Sequence, residues 1–220
     1  MKEKVIYTIN TVYNAYELII DPFGKPFLER NPDIKVYNIL DDSLLPETRE
    51  VGSVTPNVCN RMLNYAKAAE LSGAGGVLVT CTSVIEGTLY IKERVGIPVI
   101  NIAEPVAEMA VENGTKIGVM GTIPTSPGAI DFLINRRAKE INKKIEIVDV
   151  VVDGAFDVLC AGNREKHDEM VCEALYKLAR EVDVIAFAQI SMSLLKHNPV
   201  DVPVYKIGDS GYDKIKDLIK

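Results

Sequence analysis

Short apolar runs recur along the chain, each ending in small polar residues and most followed by a stretch with helical spacing. Residues 5–9, 34–39, 77–79, 96–102, 116–120, 145–151, 183–187 and 202–205 read as strands, rich in Val and Ile and bounded by Gly, Pro, Asn or Asp. Residues 13–20, 55–71, 84–95, 105–113, 128–140, 163–181 and 212–219 read as helices. The helix over 55–71 opens on Thr55-Pro56, a normal start, and places Val58, Met62, Tyr65, Ala66 and Ala69 at helical spacing. Met170, Leu175 and Leu178 point one face of a later helix to the core. Asp21-Pro22-Phe23-Gly24 is expected to stop the first helix, and residues 41–46 are expected to form a loop. Strands alternating with helices from end to end predict an α/β fold with parallel sheets.

One run organises the rest. Gly75-Gly76-Val77-Leu78-Val79 suits a buried central strand, and it stops in Thr80-Cys81-Thr82-Ser83. Ligands of open α/β sheets bind beyond the carboxyl ends of the strands, so Cys81 falls where chemistry is expected.

The pattern also repeats. Residues 6–11 match 117–122, residues 77–83 match 185–191, and residues 97–99 match 202–204, in the same order at offsets of 111, 108 and 105. Ordered matches at nearly constant offset imply two similar lobes. We expect two pseudo-symmetric three-layer α/β/α lobes, residues 1–104 plus 204–220 and residues 105–203, with the site in the cleft between them. Cys81 and Gln189 would then face each other.

Charge and composition narrow the partners. The chain of 220 residues is 47% hydrophobic and 25% charged, with a net charge of −6, which disfavours nucleic acid and anionic membranes. No apolar run is long enough to span a bilayer, and Met1-Lys2-Glu3-Lys4 leads straight into a strand without a leader pattern. The four cysteines lack zinc or redox spacing, so a reduced, cytoplasmic protein is the expectation.

A thiol at the start of a helix ionises more readily than a free one and can act as base or nucleophile. The hydroxyls and N–H groups of Thr82, Ser83, Thr122, Thr125 and Ser191 suit a small carboxylate, because a buried carboxylate needs several donors. Cys59, Cys160 and Cys172 read instead as small buried hydrophobes. His167 lies in a charged run and reads as solvated or capping. His197, shortly after Gln189, is a candidate for the site. Two histidines so far apart supply no His-rich metal centre, and Gly73-Ala74-Gly75-Gly76 precedes its strand rather than following it, so it is not a dinucleotide loop. Neither a metal nor a cofactor is expected.

The motifs Val77-Leu78-Val79-Thr80-Cys81-Thr82-Ser83, Ile117-Gly118-Val119-Met120-Gly121-Thr122-Ile123-Pro124-Thr125 and Ala188-Gln189-Ile190-Ser191-Met192 together resemble the aspartate/glutamate/hydantoin racemase superfamily. Pro98-Val99-Ile100-Asn101-Ile102-Ala103-Glu104-Pro105 and Pro203-Val204-Tyr205 fit the same pattern. The resemblance implies two α/β lobes, a cofactor-independent isomerase acting at the carbon next to a carboxylate, and Cys81 as the first catalytic cysteine. It further implies Thr82, Ser83, Thr122 and Thr125 as carboxylate ligands, with Asn10 and Thr11 lining the site. Such racemases use two thiols, and here Gln189 stands at the second position. An amide has no useful basicity, which leaves Cys81 as the single thiol acid/base or nucleophile. Racemisation would need another base, His197 or Tyr205. A single-cysteine decarboxylase, a cis–trans isomerase of a small dicarboxylic acid and a non-catalytic small-acid binding protein are the alternatives. A homodimer or higher homo-oligomer is a reasonable expectation for such enzymes.

Overall fold

The computed structural model describes residues 4–124 and 126–219. The chain divides into two compact units, Met1–Ala103 with Gly208–Lys220, and Glu104–Ile207.

The first unit holds β1 (Lys4–Asn10), β2 (Ile34–Leu40), β3 (Gly76–Val79) and β4 (Val99–Asn101), all parallel, in the order β2-β1-β3-β4. Its helices are α1 (Lys25–Arg30), α2 (Leu44–Val51), α3 (Pro56–Leu71) and α4 (Ile85–Lys92). The Thr55 hydroxyl accepts the Val58 N–H at 3.1 Å and Pro56 occupies the first turn, which starts α3 where the sequence predicts. Alternation along β3 sends Val77 and Val79 to the face covered by Met62, Ala66 and Ala69 of α3.

The second unit repeats the plan. β5 (Lys116–Gly121), β6 (Glu146–Val151), β7 (Val184–Phe187) and β8 (Val204–Tyr205) are parallel in the order β6-β5-β7-β8. They carry α5 (Glu104–Asn113), α6 (Ser126–Glu140), α7 (Ala155–Cys160) and α8 (Arg164–Leu178). Met120, Ile185 and Phe187 pack against Val171, Leu175 and Leu178 of α8. The chain then returns to the first unit as α9 (Asp209–Leu218), which lies against β3 and β4. Gly76 meets it directly: a Cβ there would stand 2.8 Å from Ile215 and 2.9 Å from Ile219.

The repeat holds in the strand registers. Ile9 pairs with Val79 and Val77 with Val99 in the first sheet. Their counterparts at the same offsets, Met120 with Phe187 and Ile185 with Val204, pair in the second.

Four expectations change. The first helix does not stop at Pro22: residues Tyr16–Gly24 form a π-helix that runs through it into α1. The wider π turn relieves the clash that a proline ring makes with the carbonyl four residues back in an ordinary helix. The loop expected over 41–46 gives way to α2, which tolerates Pro46 in its first turn and ends on Gly52 at φ 76°. Cys160 ends the short α7 and is exposed rather than buried. Val204 and Tyr205, expected with the first lobe, belong to the second, because β8 pairs with β7.

Candidate active site

Both sheets change winding direction at one seam, between β1 and β3 in the first unit and between β5 and β7 in the second. At such a seam the two following loops diverge and leave room for a ligand at the carboxyl ends of the strands. Asn10 ends β1, and Thr11, Cys81, Thr82, Ser83, Thr122, Gln189 and Ser191 follow these four strands.

In the first unit a buried polar ladder crosses the seam. The Thr8 hydroxyl donates to Asn38 Oδ1 at 2.7 Å, and Asn10 Nδ2 donates to Thr8 Oγ1 at 2.8 Å and to the Ile39 carbonyl at 3.2 Å. The Thr80 hydroxyl reaches Asn10 Oδ1 at 2.9 Å and the Ile9 carbonyl at 3.1 Å. Asn10 is thus fully engaged with its neighbours and braces β1 against β2 and β3. Thr11, the next residue, is buried, and its Oγ1 has no protein partner among the described residues. A buried hydroxyl left open in this way marks a place where a ligand group or water completes the bonding.

Cys81 is half-buried, with its side chain against the edge of the α3-facing core. Its backbone is extended, at φ −124° and ψ 125°, and Thr82 then begins a short 3₁₀ turn. The first N–H groups of that turn have no acceptor within it. Thr82 is half-buried and Ser83 exposed. The Cys81 carbonyl accepts a hydrogen bond from Asn101 Nδ2 at 2.8 Å.

Gln189 repeats this conformation, at φ −139° and ψ 140°, followed by its own 3₁₀ turn, Ile190–Met192. Its Oε1 accepts from the Thr122 N–H at 2.6 Å and from the Thr122 hydroxyl at 3.1 Å. A backbone N–H can only donate, so the amide oxygen must face it, and Nε2 with its two hydrogens is turned the other way. Gly121 permits the approach, for a Cβ there would already touch Ser126, Pro127 and Gln189 Oε1. The Thr122 donors that the sequence assigns to substrate are bonded to Gln189. Ser191 Oγ is buried with no protein partner among the described residues, like Thr11 Oγ1. Thr125 lies outside the described residues.

The candidate second bases differ in character. His197 is half-buried and its Nδ1 lies 2.8 Å from the Asn198 carbonyl. Burial, then the nearby Glu112 charge, pushes the Tyr205 hydroxyl above its ordinary pKa, so it holds its proton at neutral pH. His167 is not solvated: it is fully buried on α8, with Nδ1 2.7 Å from Asp168.

Sequence reading missed Thr80 and Asn101 as contributors, and a second cluster beside β2. There Asp41, whose N–H donates to the Asn10 carbonyl, pairs with Arg61 and accepts the Tyr65 hydroxyl at 2.6 Å. Burial raises the pKa of Asp41, but hydrogen bonds from Tyr65, Ser43 and Arg61 outweigh it and hold the carboxyl below its ordinary range. A polar residue at the end of a buried strand is the signal that could have found Asn101.

A parallel α/β unit used twice, with a thiol after the central strand of one copy and an amide after that of the other, defines a duplicated α/β fold. The family model of Asp/Glu/Hydantoin racemase matches residues 30–212, so the chain belongs to that family and is a racemase-type isomerase. No curated protein matches the chain significantly. Its fold is similar to that of a Yersinia pestis protein proposed to be an Asp/Glu racemase, at a TM-score of 0.75 and 20% identity over 97% of this chain and 98% of that one. An aspartate racemase homologue from Pyrococcus horikoshii matches at 0.72 and 18% over 98% of both chains. Allantoin racemase from Klebsiella pneumoniae matches at 0.65 and 18% over 98% of this chain and 87% of that one. Among the described residues no helix is long and apolar enough to cross a membrane.

Proposed function

We propose that this protein moves a proton at the carbon next to the carboxylate of a small acid, with Cys81 as its single acid/base. The Cys81 thiolate takes the proton from that carbon and becomes a thiol. The electron pair left behind delocalises into the carboxylate as an enediolate, and the thiol returns a proton to the same face. Thr11, Thr82 and Ser83 supply donors to the carboxylate and the enediolate. Preorganised donors of this kind are commonly the largest single contribution to such catalysis.

The observation that carries the reading is the fixed orientation of Gln189. Thr122 holds its oxygen, so Gln189 has only N–H groups to offer a substrate. It orients or stabilises, and it neither takes nor gives a proton. The matched racemase family and the aspartate racemase name of a structural relative support amino acids as first candidates.

Incubation of the purified protein with such acids in D2O tests the proposal. Deuterium should enter at one face with the configuration retained, and Cys81→Ala should lower that rate by about 10²–10⁴-fold, the usual worth of a positioned acid/base. Full racemisation that survives Cys81→Ala would overturn it. Evolution of carbon dioxide without label exchange would redirect the reading to decarboxylation.

A further inference from the structure

We propose that Asn101 is a positioning residue for Cys81, holding the peptide that follows the thiol in one fixed direction. The inference rests on the reading above, that Cys81 works beside a bound carboxylate.

Asn101 is the last residue of β4, directly in register with Val79, and it is fully buried. Its Nδ2 donates to the Cys81 carbonyl at 2.8 Å and to Thr88 Oγ1 at 3.2 Å, while its Oδ1 accepts the Ala103 N–H at 3.1 Å. Thr88 in turn donates to the Val84 carbonyl at 3.2 Å. One amide therefore ties together the end of β4, the loop after β3 and the first turn of α4.

The consequence follows from the planarity of the peptide bond. In a trans peptide the N–H points opposite to the C=O. A clasp on the Cys81 carbonyl thus also fixes the direction of the Thr82 N–H, one of the free donors at the start of the turn. The same clasp restrains the main chain that carries the thiol. Without it, rotation about Cys81 ψ and Thr82 φ would swing that donor while the strand stayed in place.

In the second unit no asparagine stands at the matching position. At the offset of 105 that relates β4 to β8, the counterpart of Asn101 is Lys206, whose Nζ donates to the Leu195 carbonyl at 2.6 Å. It holds a point further along its loop, while the Gln189 carbonyl accepts the Met192 N–H at 3.3 Å. The amide clasp belongs to the sheet that carries the thiol.

Iodoacetate provides the probe, because its reacting carbon stands next to a carboxylate. Neutral iodoacetamide is the reference reagent, and the exposed Cys160 of the same chain is the reference thiol. Modification at each cysteine is followed by peptide mass spectrometry in the full-length protein. In the wild type, Cys81 should favour iodoacetate over iodoacetamide more strongly than Cys160 does. Asn101→Ala should lower that preference about tenfold, the effect of losing one well-placed donor to a carboxylate, with a smaller change in the iodoacetamide rate. Thr88→Val, equally buried and in the same cluster but leaving the Cys81 contact in place, should keep the preference. If Asn101→Ala does not fold, Asn101→Asp takes its place, since it retains the volume and the acceptor for Ala103. An unchanged preference in the Asn101 variant, or an equal loss in Thr88→Val, overturns the clasp. Absence of any preference at wild-type Cys81 overturns the carboxylate reading itself, and the clasp with it.

Discussion

Asp131 of α6 and Asp149 of β6 bring two carboxyl groups together in the second unit. Burial first, then the charge and hydrogen bonding of Asp149, push Asp131 up to about 7. Its Oδ1 is buried with no hydrogen-bond partner among the described residues. The folded chain therefore holds this proton more tightly than the unfolded chain, whose group titrates at the ordinary aspartate value of 3.8. Stability from the protonated form is fully present below about pH 4 and is lost as pH rises through about 7. Asp131→Asn removes that loss. Its melting temperature should exceed that of the wild type by about 2–4 °C at about pH 8 for each ~1 kcal/mol relieved, and the gap should close toward about pH 4. Thermal melts at the two pH values decide it, and a gap independent of pH contradicts the assignment. At the same scale, the strand-end positions of Cys81 and Gln189 were legible because a polar residue ending an apolar run is a local signal. The engagement of Asn10 was not legible, since its partners Ile39 and Thr80 come from other strands. His167 misled for the same reason: charged neighbours in sequence say nothing about the packing of its own helix face.

At the scale of elements, α9 docks by backbone proximity rather than by side chains alone. A Cβ on Gly211 would stand 2.6 Å from Ile102 Cγ1 and 3.0 Å from the Ile102 Cα and carbonyl oxygen. A side chain can turn aside, but the end of β4 cannot, so α9 must lift. Gly211→Ala should cost about 1–3 kcal/mol by urea denaturation, as overpacked sites do. Gly128→Ala, on α6 with nothing within 4 Å among the described residues, should instead gain about 0.5–1 kcal/mol. Equal effects at the two sites would refute the contact. The elements that sequence located well, such as α3 and β5, are long or strongly apolar. Those it missed have short or interrupted patterns. α7 spans six residues, α2 buries only Leu44 and Thr48, and the π-helix passes a proline that would end a regular helix. Length limits periodicity as a signal, and six residues hold fewer than two turns.

At the scale of the molecule, the two units share strand order and register and differ at a few seam positions. Asn10 corresponds to Gly121, Cys81 to Gln189 and Asn101 to Lys206. In the first unit the Asn10 amide is bonded to Thr8, Thr80 and the Ile39 carbonyl, and Cys81 follows Thr80 in the chain. In the second, the missing side chain at Gly121 admits the Gln189 amide, and Thr122 holds it there. On the function proposed above, duplication kept the scaffold and divided the chemistry, one copy retaining a proton carrier and the other a donor. A single change should restore the balance. Gln189→Cys replaces a fixed donor with a second acid/base and frees the Thr122 N–H and hydroxyl for a carboxylate. With acids that show deuterium entry in the wild type, the variant should begin to invert configuration, at a rate about 10²–10⁴-fold above the wild-type background. Chiral chromatography of the recovered acid in D2O reads both processes at once. Retained configuration in a folded, thiol-titratable Gln189→Cys would mean that the amide position does not address the substrate carbon, and that the division of labour argued from the seam is wrong.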